Sequence, residues 1–429
     1  MNITRLAPIF RFAYGLLLYL ALPFVLLRLG WRARRQPQYA QHMGERFGFY
    51  HGDSVPQPLI WLHAVSVGET RAAEPLVQAL RTKYPGHQIL LTHMTPTGRD
   101  AGLSLFGNDV RRCYLPYDYS GAVRRFLDHF RPQIGLLMET EIWPNLVHTC
   151  KARGVPLHLV NARLSEKSFA NYQRMHALIA DTFGKLTAVA AQTAADAQRF
   201  TALGAQHVSV FGNLKFDVEP PPALLAEGAR LRANMGKRQV LLAASTRDGE
   251  EQLLIEHQCH AIKELPNLLL VMVPRHPQRF DEVAALLDKH GVRYQRRSEN
   301  AAIRAGTQVL LGDSMGEMFA YYAACDVAFI GGSLLPFGGQ NLIEACAVEK
   351  PALVGPYTYN FADATEDAIA AGATLRVIDA ADLARKAAAL LSHPALRQRM
   401  GSAALQFSQT HRGAAKKLVE TLRIPDGGH

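Results

Sequence analysis

The stretch PLIWLHAVSVGE, residues 58–69, carries the pattern that decides the fold. Its first eight residues are almost all apolar, which is typical of a strand buried on both faces of a parallel sheet. Small residues and Gly68 follow, and a helical pattern begins at about Glu69. A buried strand, a tight turn and a helix form the repeating unit of α/β proteins, so we expect this unit to recur.

Short apolar runs of the same kind lie on either side of a proline-rich segment. In the first half, further runs lie at residues 88–95, 112–118, 134–141, 156–163, 188–193 and 208–213. In the second half, they lie at residues 239–246, 268–275, 307–314, 327–333, 351–357 and 375–379. Between the two series, residues 219–222 read EPPP, and consecutive prolines stiffen a chain into a spacer. The pattern predicts two doubly wound, Rossmann-like α/β domains facing a cleft, with ligands bound at the carboxyl ends of the strands.

The length and composition agree with two packed domains. The chain has 429 residues, of which 48% are hydrophobic and 20% are charged. The sequence predicts an anchor with its basic flank at residues 1–35, a first domain at 36–218 and a linker at 219–225. A second domain at 226–405 and a C-terminal helix with its tail at 406–429 follow.

The charge and the cysteines narrow the class of protein. A net charge of +10 fits nucleic acid, an anionic membrane face or an acidic substrate as a partner. The sequence has no RNP aromatics, zinc-finger spacing or long Lys/Arg block, so nucleic acid is not expected. The cysteines are odd in number, far apart and without a CxxC motif, which argues against disulfides or zinc and fits a reducing cytosol. They are Cys113, Cys150, Cys259, Cys325 and Cys346.

The N-terminus predicts an association with a membrane. Residues 12–27, FAYGLLLYLALPFVLL, contain no charge, although the run is short for a full span. Six arginines flank the run, two before it and four after it: Arg5 and Arg11, then Arg28, Arg32, Arg34 and Arg35. The heavier cluster on the C-terminal side places the main body in the cytoplasm. The alternative is a buried helix, or one that lies in the membrane interface; in either case we expect docking on a membrane.

Polar motifs in the first half stand where the predicted strands end, beside helix N-termini and free backbone donors. Glu69 could act as a general base for a hydroxyl, and the alternative is a helix-start residue favoured by the helix dipole. His63 is expected to pack or orient rather than react. Glu139 and Glu141 share a face of an extended segment. They could bind a cation or perturb each other's pKa, and the alternative is a helix-start residue and a salt bridge.

Four loops in the second half have features suited to a nucleotide. Residues 244–251 resemble an N-capped helix start beside a phosphate seat. A very apolar strand ends abruptly at Arg275 and His276, and residues 312–318 form a turn whose amides could face a nucleotide. The glycine-rich loop at residues 331–344 allows close approach to a phosphate, and its final glutamate could accept hydrogen bonds from ribose hydroxyls.

Several familiar motifs are missing from the sequence. It has no GxGxxG after a strand, no GxxxxGK[ST] and no HExxH, which argues against dehydrogenases, P-loop proteins and zincins. It also lacks DxD, the usual acidic handle for a metal-bound sugar nucleotide. A transferase here would neutralise its leaving phosphate with amides, helix dipoles and cations. Arg163 and Lys215 could meet such a phosphate or a carboxylate, although lone cations are more often surface residues.

Eight motifs in order resemble the 3-deoxy-D-manno-octulosonic acid (Kdo) transferases of lipopolysaccharide synthesis. They are HAVSVGE, METEIWPN, NARLS, GNLKFD, ASTRDGEE, PRHPQRF, GDSMGEM and GGSLLPFGGQNLIE. The resemblance covers nearly the whole chain. It implies a GT-B fold with an acceptor-binding first domain and a CMP-sugar-binding second domain. It also implies CMP-Kdo as the donor and co-substrate, the lipid A precursor lipid IVA as the acceptor, and inversion without a metal or cofactor. The expected location is the bacterial inner membrane, with an N-terminal signal-anchor and the catalytic domains on the cytoplasmic side.

The resemblance also assigns roles by motif position. Glu69 would be the general base, and Glu139 and Lys215 would stabilise charge in the transition state. The residues that would hold CMP are Arg275, His276, Gly316, Glu317, Met318, Asn341, Leu342, Ile343 and Glu344. One departure is that Ala345 and Cys346 follow, where a proline is expected. Two rival functions stay open: another GT-B enzyme that uses a UDP-sugar on a lipid acceptor, and a membrane-bound nucleotide-binding scaffold without turnover.

Overall fold

The computed structural model describes residues 7–52 and 58–424, without the side chains of residues 258–264 and 411. Arg5, the side chain of Cys259 and the last five residues of the predicted tail lie outside this part. The chain divides into two compact units. The first unit runs to Asp217 and resumes at Gly413, and the second spans Val218–Arg412.

The first unit is built on seven parallel strands in the order β3-β2-β1-β4-β5-β6-β7. The strands are β1 (Leu59–His63), β2 (Gln88–His93), β3 (Arg111–Tyr114), β4 (Ile134–Met138), β5 (Leu157–Ala162), β6 (Ala188–Ala191) and β7 (Val208–Val210). The strand order reverses between β1 and β4. In open α/β sheets, ligands bind outside the carboxyl ends of the strands at such a switch point.

Helices cover both faces of this sheet. The helices of the first unit up to Asp217 are α1 (Ala7–Arg35), α2 (Val67–Ala72), α3 (Glu74–Lys83), α4 (Pro96–Phe106), α5 (Ser120–Phe130), α6 (Pro144–Ala152), α7 (Glu166–Gln173), α8 (His176–Phe183) and α9 (Ala194–Ala202). Consecutive residues of β1 enter two different cores: Trp61 packs edge-on against Phe126, and Leu62 joins the cluster on the other face. Because both faces of β1 are buried, the strand is apolar at nearly every position.

The second unit repeats the architecture, with all strands parallel in the order β10-β11-β9-β8-β12-β13-β14. The strands are β8 (Gln239–Thr246), β9 (Leu268–Pro274), β10 (Tyr294–Arg296), β11 (Val309–Leu311), β12 (Val327–Ile330), β13 (Ala352–Val354) and β14 (Thr374–Arg376). Its helices are α10 (Pro222–Met235), α11 (Glu250–Glu264), α12 (Phe280–Lys289), α13 (Met318–Ala324), α14 (Ile343–Ala347), α15 (Ala362–Ala370), α16 (Ala380–Ser392) and α17 (Pro394–His411). Here the strand order reverses between β8 and β12.

The two doubly wound, Rossmann-like domains of the sequence analysis are therefore confirmed. The strand β10 was missed, because it is short, polar and at the sheet edge. Several predicted runs were also too long at their carboxyl ends, where the polar residues belong to loops rather than strands. The four cysteines whose side chains are described are free and buried, as expected for a chain without a disulfide framework.

The unit boundaries differ from the expected ones at two places. Helix α10 begins at Pro222, inside the segment expected to be a linker, because proline is well tolerated at the first helical position. Helix α17 runs through the expected division at 405/406 and ends at His411. The last helix, α18 (Ala414–Thr421), then packs on α3 and completes the first unit. Asp217 accepts hydrogen bonds from the backbone N–H groups of Gly413 and Ala415, and so holds the start of this segment.

Helix α1 is long and apolar enough to cross a membrane, and little of its apolar stretch is buried against the rest of the protein. Large apolar side chains stay exposed along it, including Phe12 and Leu27, each 74% exposed. Its last turn carries Arg32, Arg34 and Arg35. This helix is compatible with the predicted anchor, and one of its faces packs on α6 and α8 of the first unit.

Candidate active site

Glu69 lies at the carboxyl end of β1, in the first turn of α2. Ser66 caps this helix, and its hydroxyl donates a hydrogen bond to Glu69 Oε1 over 3.0 Å. The Val65 N–H donates to Glu69 Oε2 over 2.9 Å. This arrangement is close to a capping box, in which the serine side chain bonds the N–H of the glutamate and the glutamate side chain bonds a backbone N–H at the helix start. The helix-start role of Glu69 is therefore real, and it also holds the carboxylate in one place.

The surroundings of Glu69 make its carboxylate a good proton acceptor near neutral pH. Burial raises the pKa of Glu69 to about 7, against the hydrogen bond from the Val65 N–H, which lowers it. The carboxylates of Glu139 and Glu141 raise this pKa further. General bases work best when their pKa lies near the operating pH.

Glu139 follows the last residue of β4, across the switch point from Glu69. Its φ of +57° lies in the left-handed region, which is uncommon for a residue other than glycine and costs free energy that functional sites often carry. Lys215 Nζ lies 3.9 Å from Glu139 Oε1. The neighbouring Glu141 accepts a hydrogen bond from Trp143 Nε1 over 3.1 Å, and burial raises its pKa. The first unit thus gathers three carboxylates and one ammonium group at the ends of β1, β4 and β7.

Two asparagines place the segment that carries Lys215, a role that the sequence analysis missed. Asn213 begins a short 3-10 helix, and its Oδ1 accepts the Lys215 N–H over 2.9 Å. Asn161 Oδ1 accepts the Leu214 N–H over 3.0 Å, and Asn161 itself has a φ of +51°. Asparagine tolerates the left-handed conformation of Asn161 better than most residues, and it is a preferred helix-capping residue, as at Asn213. The asparagines of the NAR and GNLK motifs could therefore have indicated these roles. Arg163, from the same strand end, is exposed.

His63 is a packed residue, as the sequence analysis expected. It is fully buried, and its Nδ1 lies 2.9 Å from Thr92 Oγ1. Burial lowers the pKa of His63 to about 3, so the ring is neutral at physiological pH. It supports the end of β1 from inside the sheet.

The second unit contains a buried glutamate that joins the loop after β8 to the loop after β12. Glu250 is fully buried at the start of α11, and its Oε2 accepts the N–H groups of Arg247 and Gly332 over 2.9 and 2.6 Å. Its Oε1 accepts the Leu334 N–H over 2.9 Å. Burial raises the pKa of Glu250, and these N–H groups lower it. The sequence predicted an N-capped helix start beside a phosphate seat here, but not the bonds to the loop after β12, because that loop is far away along the chain.

Glycine is required where these loops meet. A Cβ on Gly331 would lie 2.6 Å from the backbone oxygen of Ser245, closer than real side chains approach. Gly338, with a φ of +90°, would place a Cβ 2.4 Å from Asn360. The glycines therefore allow the loop after β12 to pack against its neighbours, in addition to the close approach to a phosphate that the sequence suggested.

Cationic side chains gather on the same edge of the second sheet. Arg275 Nε donates to Gln340 Oε1 over 3.3 Å, which joins the loops after β9 and β12. Arg247 Nη1 lies 3.1 Å from His276 Nε2, and its guanidinium stands 4.8 Å from the centre of the Phe337 ring. Desolvation and the nearby arginines lower the pKa of His276. Arg247 and Arg275 therefore make this part of the second unit positively charged and suited to an anion.

The loop after β11 reaches the same place. Ser245 Oγ lies 3.9 Å from Met318 Sδ, so the end of β8 contacts the start of α13, the helix that follows this loop. Gly316 has a φ of +82° and open space around it. Glu317 is the N-cap residue of α13, and its Oε1 lies 3.2 Å from Arg297 Nη2.

The segment from Asn341 to Glu344 turns the loop after β12 into α14. Asn341 Oδ1 accepts the Ile343 N–H over 3.0 Å, and its Nδ2 donates to Glu344 Oε1 over 3.3 Å. The side chains of Leu342 and Ile343 are buried in the core. A ligand at this segment would therefore meet the backbone of these two residues rather than their side chains.

The predicted site residues thus fall into one group in each unit. Glu69, Glu139 and Lys215 lie together in the first unit. The residues expected to hold CMP lie in the loops after β9, β11 and β12 in the second. Among the residues that the structure describes, no group of three or more His, Cys, Asp or Glu side chains is placed to hold a metal ion.

Comparisons of the fold and of sequence families agree on the class of protein. A glycosyltransferase from Rickettsia africae matches 85% of this chain and 98% of its own, with a TM-score of 0.55 and 14% identity, which shows a shared fold. Residues 246–407 match the family "Glycosyl transferases group 1", and residues 41–218 match "3-Deoxy-D-manno-octulosonic-acid transferase (kdotransferase)". The protein is a glycosyltransferase of the GT-B class, as the sequence predicted.

Full-length relatives specify the family. The chain is 45% identical to the 3-deoxy-D-manno-octulosonic acid transferase of Bordetella pertussis, over 96% of this chain and 98% of that protein. It is 38% identical to the enzyme of the same name from Haemophilus influenzae, over the same shares. The chain belongs to the 3-deoxy-D-manno-octulosonic acid transferase family.

Proposed function

We propose that the protein transfers Kdo from CMP-Kdo to the lipid A precursor lipid IVA, with inversion at the anomeric carbon and without a metal or cofactor. The family of the chain supports the sugar and the donor. The observation that carries the chemistry is the set of carboxylates around Glu69, since burial and the acids Glu139 and Glu141 raise its pKa to about 7. That value suits a base for a sugar hydroxyl.

In this reaction, Glu69 takes the proton from the acceptor hydroxyl as its oxygen bonds to the anomeric carbon of Kdo. The bond from that carbon to the phosphate oxygen breaks, and CMP leaves with the electron pair. Attack opposite the leaving group inverts the configuration. Lys215 and Glu139, whose Nζ and Oε1 atoms lie 3.9 Å apart, act on the charge that develops in the transition state.

In the second unit, we propose that the loops after β9, β11 and β12 hold CMP. Arg275 and His276 offer cationic or polar contacts to the phosphate, and the backbone of residues 341–344 and the Glu344 carboxylate serve the nucleoside. Such fixed donors stabilise a leaving phosphate without reorganising during the reaction. The residues present suit an anionic ligand, because this edge gathers Arg247, Arg275 and His276.

We further propose that α1 attaches the protein to the inner membrane, with both units on the cytoplasmic side. Its exposed apolar residues and terminal arginines match an apolar interior bounded by anionic headgroups. The acceptor is itself a phosphorylated lipid in the same membrane, so attachment would bring enzyme and acceptor together.

The function is tested by mass analysis of the lipid product. Purified protein, CMP-Kdo and lipid IVA should give lipid IVA heavier by one or more Kdo residues, with release of CMP and unchanged rates in excess EDTA. A panel of UDP-sugars supplied in parallel should give no product. Transfer from a UDP-sugar, or no product from active CMP-Kdo, would contradict the proposal and favour one of the rival functions.

The pKa of Glu69 gives a second expected result. Because the base must be deprotonated, kcat/KM should rise with pH and level off above an apparent pKa of about 7. Initial rates of CMP release measured across neutral pH check this. A rate that falls as pH rises through 7 would mean that an acid, rather than this base, limits the reaction.

A further inference from the structure

A buried carboxylate, that of Asp118, connects helix α1 with the start of α6 in the first unit. Asp118 is 3% exposed and lies in the loop between β3 and α5. Tyr14, in the first half of α1, donates its hydroxyl hydrogen bond to Asp118 Oδ2 over 3.0 Å. A polar contact from the middle of an apolar helix to a buried carboxylate is more specific than attachment to a membrane requires.

The other bonds of Asp118 go to the start of α6. Its Oδ2 accepts the Asn145 N–H over 2.9 Å, and its Oδ1 accepts the Leu146 N–H over 2.7 Å. Asn145 Nδ2 returns a bond to the Asp118 backbone oxygen over 2.7 Å. The residue at the usual capping position, Trp143, makes no side-chain cap. Asp118 therefore caps α6 from outside, satisfying the N–H groups that a helix start leaves open.

The start of α6 is also the end of the loop that carries Glu139 and Glu141. Only Ile142 and Trp143 separate Glu141 from Pro144, the first residue of the helix. The position of α6 therefore sets the position of both acids, which act on the pKa of Glu69. A second contact reinforces this connection: Arg11 of α1 lies against His148, one turn further along α6.

We propose that Asp118 and Tyr14 are positioning residues, through which the anchor helix α1 fixes the acid loop of residues 139–143 for the transfer reaction. The inference rests on the proposed function, because it takes the acid loop as part of the catalytic site. It assigns α1 a role in turnover in addition to membrane attachment.

The test is the pair Tyr14→Phe and Tyr19→Phe. The first substitution removes only the hydroxyl that binds Asp118. The second removes a hydroxyl from the same helix where the ring faces Tyr119, 5.1 Å away, instead of Asp118. We expect Tyr14→Phe to lower kcat about 5-fold, as suits the loss of one hydrogen bond, with the KM for CMP-Kdo unchanged. Tyr19→Phe should keep the original kcat.

Three further measurements separate positioning from other roles. The loss of kcat in Tyr14→Phe should be the same on vesicles and in detergent micelles, with normal co-sedimentation on vesicles and a melting temperature close to that of the unaltered protein. Asp118→Asn should lower kcat at least as far, since it also removes an oxygen that caps α6. A loss seen only on vesicles would mean that α1 serves attachment alone, and a loss that follows the melting temperature would mean general destabilisation; either result overturns the proposal.

The result for Glu69 separates a failure of this coupling from a failure of the proposed function. If Glu69→Gln is inactive and Tyr14→Phe has the same kcat as Tyr19→Phe, the coupling is wrong and the proposed function stands. If Glu69→Gln keeps its activity, the proposed function of the acid cluster fails, whatever the result at Tyr14.

Discussion

Replacing Glu69 by glutamine is expected to lower kcat by about 10²- to 10⁴-fold, the usual contribution of a general base. The amide has the same shape and can still accept the Val65 N–H, but it cannot take a proton. Binding of CMP should be unchanged, because the residues expected to hold it belong to the second unit. Single-turnover transfer to lipid IVA, together with titration of CMP, measures both quantities.

The matched control is Ser66→Ala, because Glu69 has a structural role as well. This change removes the cap that Ser66 provides to the Glu69 N–H and the bond to Oε1, at a cost of about 1 kcal/mol in stability, and it keeps the carboxylate. We expect Ser66→Ala to retain most of its turnover. Equal losses in the two variants would mean that the helix cap, rather than proton transfer, explains the effect.

The sequence predicts most of the fold because the signal is local. Strands buried on both faces must be apolar at nearly every position, as β1 is, and the intervening helices make the sheets parallel. The polar residues at the strand ends also predict that the site lies at the carboxyl ends of the strands in each sheet. The short edge strand β10 was missed because half of its environment is solvent and its residues are polar.

Other missed features depend on pairs of residues that are distant in sequence. Glu250 binds amides more than 80 residues away, and Asp118 is bonded to Tyr14 and Asn145 on two different helices. Asp217 holds the segment that returns at Gly413. A buried carboxylate has no periodic pattern, and most of these partners are backbone groups with no residue preference. Only the resemblance to a family could name the donor and acceptor, because spacing alone predicts a nucleotide edge without specifying the nucleotide.

Replacing Glu250 by glutamine is expected to weaken CMP binding about 10- to 100-fold. The carboxylate accepts hydrogen bonds from the N–H groups of Arg247, Gly332 and Leu334. In glutamine, an amide NH₂ group replaces one of the two oxygens, and it cannot accept a hydrogen bond from these N–H groups. Each buried group left unsatisfied costs about 1–3 kcal/mol, and the loops after β8 and β12 can escape that cost only by moving apart. Calorimetric titration with CMP measures the Kd.

The control for this prediction is Glu251→Gln, at the adjacent and equally buried position. Glu251 binds Thr246 and Arg279, and its side chain makes no bond to the loop after β12 in the described part of the chain. This change removes a buried carboxylate of the same size, so a general loss of stability should lower the melting temperature of both variants. Only Glu250→Gln should then raise the Kd for CMP beyond the effect of stability. A normal Kd in that variant would show that the glycine-rich loop keeps its shape without the buried carboxylate, and that its glycine contacts alone, such as that of Gly331 with Ser245, hold it in place.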